Sequence, residues 1–136
     1  DNREMLLLRH EEFHRSVMLL VPEQRFFSKD TNVTDSRVIA PLADVAFELA
    51  MRGDYGRAMT LNGFAYCVAL GLPTKPLILA LQAGAEGVSL SGTGPAYAAI
   101  IEENKMDELE AAWEVLGGRV IRTKANNRKA SKGRGI

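Results

Sequence analysis

The order in which two kinds of apolar spacing alternate constrains this chain more than any single motif. Ser16 to Val21 (SVMLLV) is a continuous apolar run closed by Pro22. Its length suits a strand buried on both faces better than a helix. From Val38 the period changes. Val38, Leu42, Val45 and Leu49 recur at helical spacing, and Ile39, Ala43, Ala46 and Ala50 form a second apolar stripe beside them. Thr34 or Asp35 is the candidate cap and Gly53 the stop. So much apolar surface predicts a helix covered on more than one side. Asp54 caps a second helix running to about Leu70, with Gly71 and Pro73 as stop signals. Gly63 lies inside it at a cost of roughly 1 kcal/mol against alanine, which predicts close approach by a neighbour or ligand. Thr74 followed by Pro76 opens a third helix that ends near Gly84.

The strand spacing then returns. Gly87 to Leu90 reads as a strand, Ser91 to Pro95 (SGTGP) as a turn and Ala96 to Ile101 as the return strand. Leu109, Ala112, Trp113 and Leu116 mark a helix from about Met106, closed by Gly117 and Gly118, and Arg119 to Thr123 alternates as a last strand. Ahead of all this, Glu4 to Arg9 reads as a short strand, and Gln24 to Val33 is polar and turn-like. From Ser16 the order is strand, helices, strand, strand, helix, strand. That is an α+β, ferredoxin-like split β-α-β-β-α-β sandwich with extra helices in the first crossover. It predicts an antiparallel sheet with helices on one face. Residues 16–124 form the domain, 1–15 end a preceding domain or linker strand, and 125–136 are a basic tail. The chain's 136 residues suffice for one hydrophobic core.

Lys and Arg number 17 and so do Asp and Glu, which excludes capture of nucleic acid or an anionic membrane by the whole chain. The balance hides an asymmetry. After Gly118 stand seven bases and no acid, so the body carries 10 − 17 = −7 and the tail +7. The plain reading is a basic terminal strand with a frayed end, and the alternative is a phosphate-facing tail. Cys67, the one cysteine, excludes an internal disulfide and a multi-cysteine metal site, and its apolar surroundings predict a buried, inert thiol. His10 and His14 are four apart but flank a charged linker, which argues against a metal site there. No apolar run reaches the ~20 residues of a membrane helix. The sequence opens at Asp1 with neither a start methionine nor a leader pattern, as if cut from a longer chain, and a cytoplasmic location is expected.

Ser91-Gly92-Thr93-Gly94-Pro95 is the most informative segment. Two glycines flank a threonine, so the backbone is free to take positive φ and approach another group closely. Successive N–H groups in such a turn form an anion-binding nest. A tight hairpin would want the same glycines, and five residues alone leave both readings open. The segment is not a Walker A loop, since no Gly-Lys-Ser/Thr follows, and strand rather than helix comes next, unlike the dinucleotide fingerprint.

The wider segment Gly87 to Ala99 (GVSLSGTGPAYAA) resembles the third conserved motif of the GHMP family of small-molecule kinases. Asp1 to Arg9 (DNREMLLLR), Gly53 to Leu72 (GDYGRAMTLNGFAYCVALGL) and Val120 to Asn127 (VIRTKANN) resemble the archaeal-type shikimate kinases within it, in collinear order. The resemblance implies a GHMP kinase C-terminal domain, ATP and Mg²⁺ as cofactors, and shikimate or a similar small hydroxy acid as phosphoryl acceptor. Members are about twice this length. Their phosphate loop and acidic catalytic residue lie in an N-terminal half that has no counterpart here, so the catalytic residue is not among these 136. By the resemblance, Ser91, Gly92, Thr93 and Gly94 complete the phosphate site with their backbone N–H groups. Arg37 sits where homoserine kinases place an arginine and suits a carboxylate.

Asn62 and Tyr66, four apart on one helix face, are candidates for substrate hydroxyls, with a helix-packing pair as the alternative. Thr123 and Asn126 follow the last strand and are candidates for the same cleft. Two other readings stay open: another GHMP kinase of the homoserine or mevalonate type, and a stand-alone ferredoxin-like module that binds a ligand or a chain without catalysis. A half-enzyme is also expected to expose an apolar face through which the chain pairs with its missing half or with a second copy.

Overall fold

The computed structural model describes residues 10–23, 36–92 and 94–129. The Glu4–Arg9 strand, the 24–33 turn region, the caps Thr34 and Asp35, Thr93 and the tail from residue 130 lie outside the described residues. The elements are β1 (Ser16–Val21), a 3-10 turn (Ser36–Ile39) leading into α1 (Ala40–Met51), α2 (Tyr55–Leu70), α3 (Lys75–Gln82), β2 (Gly87–Leu90), β3 (Tyr97–Ile101), a 3-10 turn (Glu103–Lys105) leading into α4 (Met106–Glu114), and β4 (Arg119–Lys124). The four strands lie in the order β2-β3-β1-β4, and every pair is antiparallel. This is the α+β split β-α-β-β-α-β arrangement, with α1, α2 and α3 all in the first crossover.

β1 is a central strand, as its unbroken apolar run requires. Its burial is nonetheless one-sided. Met18 and Leu20 are fully buried, whereas Val17 and Leu19 are half-buried and Val21 is exposed. The reason lies in the register. Met18 and Leu20 stand beside Ala99 and Tyr97 of β3, on the face that meets Leu77 and Ala80 of α3 and Leu109 and Trp113 of α4. Val17 and Leu19 point to the other face, beside Ile100 and Ala98. The two large buried aromatics find partners for their polar atoms. Trp113 Nε1 donates to the Pro76 carbonyl at 3.0 Å, and the Tyr97 hydroxyl donates to the Pro73 carbonyl at 2.7 Å. Cys67 is fully buried in the same core, and burial pushes its thiol up to about 11.

α2 begins and ends where its punctuation demands. The Asp54 carboxylate accepts from the Arg57 N–H at 3.3 Å, and Gly71 takes the left-handed conformation that closes the helix. Two expectations fail. Thr74 occupies the cap position of α3, but its own backbone is helical and its side chain makes no cap hydrogen bond. The α1 helix is covered on one side, not two. Its small stripe packs on α2 through buried Ala46, with Ala43 and Ala50 half-buried, and just before the helix Ile39 packs on Ala65 and Ala69. The larger stripe stays open: Val38 is 69% exposed, Leu42 44% and Val45 46%. α1 rests on α2 and not on the sheet, and among the described residues its far side is left open.

Candidate functional site

The site is built where α2 runs along the open edge of β2. Three small residues let helix and strand backbones meet. A Cβ on Gly56 would lie 2.3 Å from the Glu86 carbonyl oxygen, and one on Gly63 would lie 2.8 Å from both the Val88 carbonyl oxygen and the Ser89 Cα. Between them, the Thr60 hydroxyl donates to the Gly56 carbonyl at 2.9 Å and accepts from the Val88 N–H at 3.2 Å. Gly63 thus answers to a neighbouring strand, the first of the two readings its position allowed.

Past Gly63 the helix and the strand enclose a cavity of about 300 Å³. Its lining is Asn62, Tyr66 and Leu70 from α2, Ser89 and Leu90 from β2, and Gly92 from the turn that follows. Asn62 and Tyr66 therefore share a face, as their spacing predicts, and that face opens on the glycine turn. Leu70 and Leu90 give the cavity an apolar wall. Ser89 was not foreseen from the sequence. A serine inside an apolar strand carries no local signal, and only the packing of β2 on Gly63 reveals where its hydroxyl goes.

The two described glycines of the turn differ in what surrounds them. Gly92 (φ +65°) has open space where a Cβ would stand, whereas a Cβ on Gly94 (φ +80°) would lie 3.1 Å from Leu72 Cδ1. The Ser91 N–H donates to the Ala96 carbonyl at 2.8 Å, and the Gly94 N–H to the Ser91 carbonyl at 3.3 Å. Those two N–H groups close the turn on itself, contrary to the expectation that all four aim outward. Gly92 is the described member of the turn that combines an open approach with a place on the cavity wall.

The remaining candidates fall elsewhere. Arg37 is exposed on the 3-10 turn before α1. Ile39, two residues on, packs on the half of α2 that carries Tyr66 and Leu70, so Arg37 lies toward that end without lining the cavity. Thr123 is on β4, the opposite edge of the sheet from β2. At roughly 4.8 Å per strand, three strand spacings separate it from the cavity. The Asn126 side chain accepts from the Arg128 N–H at 2.9 Å, a local turn that occupies its oxygen. It lines a separate, wider cavity of about 820 Å³ together with exposed His10, Glu11 and Glu12. Its neighbour Asn127 holds the two ends of the described chain together: its amide accepts from the Phe13 N–H at 2.8 Å and donates to the Phe13 carbonyl at 2.9 Å. Neither Thr123 nor Asn126 joins Asn62 and Tyr66.

Among the described residues no helix is long and apolar enough to cross a membrane. No protein-family model matches the chain. A solved Listeria monocytogenes chain assigned as a homoserine kinase overlays 85% of this chain and 42% of its own length, with a TM-score of 0.48 and 22% sequence identity. Curated relatives are much nearer in sequence. A shikimate kinase of Methanosarcina acetivorans is 53% identical over 99% of this chain and 47% of its own length. A shikimate kinase of Methanothrix thermoacetophila is 50% identical over 98% of this chain and 46% of its own, and one of Methanosarcina mazei is 54% identical over 93% and 44%. The chain spans about half the length of the curated relatives it matches. Over nearly all of its residues, then, this chain is similar in sequence to curated shikimate kinases, at about half of positions identical.

Proposed function

We propose that this chain is the C-terminal half of a GHMP-type shikimate kinase, which phosphorylates the 3-hydroxyl of shikimate in the cytoplasm. Residues 16–124 are its ferredoxin-like domain, 1–15 lead in from the other half, and 125–136 are a basic tail. What carries the reading is the glycine turn on the rim of a cavity lined by Asn62 and Tyr66. The relatives' names add the substrate.

Phosphoryl transfer is largely positioning and charge stabilisation. When bound, ATP with Mg²⁺ supplies the phosphoryl group. The chain's own residues fit one side of such a group: Gly92 offers backbone at an open approach, with no described atom outside its chain neighbours within 4 Å of where its Cβ would stand. Ser91 and Gly94 shape the turn that presents it, and Thr93 joins them as a candidate by the family resemblance alone. Asn62 and Tyr66 orient the acceptor beside it, and Arg37 is the candidate partner of the acceptor's carboxylate. The catalytic acid belongs to the half of the enzyme that this chain does not span.

The test is reconstitution. The chain is mixed with the separately expressed other half of the Methanosarcina acetivorans relative, and shikimate-dependent ADP formation is followed. The chain alone gives no turnover and the pair restores it. Turnover by the rigorously purified chain, or a pair that forms a complex yet stays inert, refutes the reading.

A further inference from the structure

The cavity between α2 and β2 contains three uncharged polar side chains and no charged one. Ser89 is only 7% exposed. Among the described residues its hydroxyl has no hydrogen-bond partner, and no buried polar atom is left unsatisfied. Its oxygen must therefore open onto the cavity rather than into the core. Gly63 leaves it the room, since a Cβ there would lie 2.9 Å from Ser89 Oγ. The Asn62 amide and the Tyr66 hydroxyl line the same cavity and likewise have no side-chain partner among the described residues. A hydroxyl that opens onto a cavity is hydrated there, and a ligand hydroxyl exchanges that water for a direct hydrogen bond. A carboxylate or phosphate buried there without a cation would be costly.

We propose that this cavity is the seat of the acceptor's uncharged, hydroxyl-bearing edge. Ser89, Asn62 and Tyr66 pair with its hydroxyls, Leu70 and Leu90 lie against its carbon ring, and its carboxylate stays outside. This assignment deepens the kinase reading and rests on it for the acceptor's identity. It goes further in fixing which way the acceptor enters and in making Ser89 the residue that selects for a hydroxyl. The ring's hydroxyl edge then lies next to Gly92, and the anionic end is turned away from the transferring phosphoryl group. That orientation keeps two like charges apart.

Binding to the chain itself tests this by saturation-transfer NMR, with shikimate, its methyl ester and an uncharged cyclohexanetriol as probes. Because the carboxylate stays outside the cavity, the ester still binds, weaker than shikimate by roughly the tenfold that a charge-assisted bond to Arg37 supplies. Ser89→Ala and Tyr66→Phe each weaken both by about fivefold or more, the scale of one neutral hydrogen bond. Thermal unfolding of each variant separates a lost contact from a lost fold, and Tyr66→Phe, at the cavity mouth, removes only an oxygen. If the triol and the ester bind with the same dependence on Ser89 while shikimate is not preferred, the cavity assignment stands and the shikimate reading falls. If esterification abolishes binding, if folded Ser89→Ala binds like the parent, or if no probe binds, the proposal is overturned.

Discussion

Replacing Gly63 by alanine sets two effects of known size against each other. In an exposed helix the change stabilises by roughly 1 kcal/mol, because alanine loses less backbone entropy. Here the new methyl carbon would stand 2.8 Å from Ser89 Cα and from the Val88 carbonyl, and 2.9 Å from Ser89 Oγ. Two of those three atoms belong to the backbone of a paired strand, so no side-chain rotation relieves the contact. The helix and β2 must separate by several tenths of an ångström. Overpacking of this kind costs about 1–3 kcal/mol. Separation also stretches the bond from the Val88 N–H to the Thr60 hydroxyl, already 3.2 Å long, which is worth about 1 kcal/mol. The sum, less the helix gain, is a net loss of about 1–3 kcal/mol, or a fall in Tm on the order of 5–10 °C. Differential scanning calorimetry on the parent chain and Gly63→Ala measures it. An unchanged or higher Tm would show that α2 is not seated on β2 as described.

Further outcomes are expected from the turn, the buried thiol and the open stripe of α1. In the reconstituted enzyme, Gly92→Ala lowers kcat/KM at least about tenfold, because its methyl group enters the open approach; its stability cost is confined to about 1–2 kcal/mol for a left-handed alanine. Gly94→Ala, whose methyl meets Leu72, loses more stability and is the poorer probe of phosphate approach. Cys67 resists alkylation at pH 8 in the native chain and reacts promptly in denaturant. Its folded pKa of about 11 lies above the unfolded value, so the unfolded chain gives up its proton first and stability falls as pH rises from about 9 to 11; a chemical-denaturation series across that range reads the loss, and a flat profile contradicts it. Sedimentation of the isolated chain shows concentration-dependent association through the open stripe of α1, which Leu42→Lys with Val45→Lys reduces; a strictly monomeric parent at high concentration counts against that face as a contact.

Much of the architecture was legible because its signals are local. Asp54 and Gly71 bracket α2, the glycine turn separates β2 from β3, and the spans of β1 and β4 follow from apolar spacing. Gly63 was also legible as a close contact, since a helix keeps a costly glycine for a reason. What escaped depends on residues far apart in sequence. Thr60 is an ordinary mid-helix residue until the Val88 N–H on a sheet edge needs an acceptor. Ser89 is a polar residue in a short strand until the register turns it toward α2. Asn126 and Asn127 are adjacent and identical in type. One closes a local turn and the other bridges to Phe13, 114 positions away, which no spacing rule distinguishes. The two-sided covering expected for α1 failed for a related reason: apolar periodicity says which face wants a neighbour, not whether this chain provides one.

The seating of α2 on β2 gives the sheet a direction of growth. One margin is sealed, because a helix backbone lies against Gly87, Val88 and Ser89 and Thr60 takes up the N–H of Val88. Among the described residues, the margin left for a further strand is the one beside β4. That margin carries Arg119, Arg122 and Lys124, and Arg122 is held by Asp107 and Glu110 of α4. A second copy of the chain adding there in antiparallel fashion would bring one row of bases against another. The fold thus closes one border with a helix and guards the other with charge, so its strands do not serve as a template for endless pairing even when the protein is crowded.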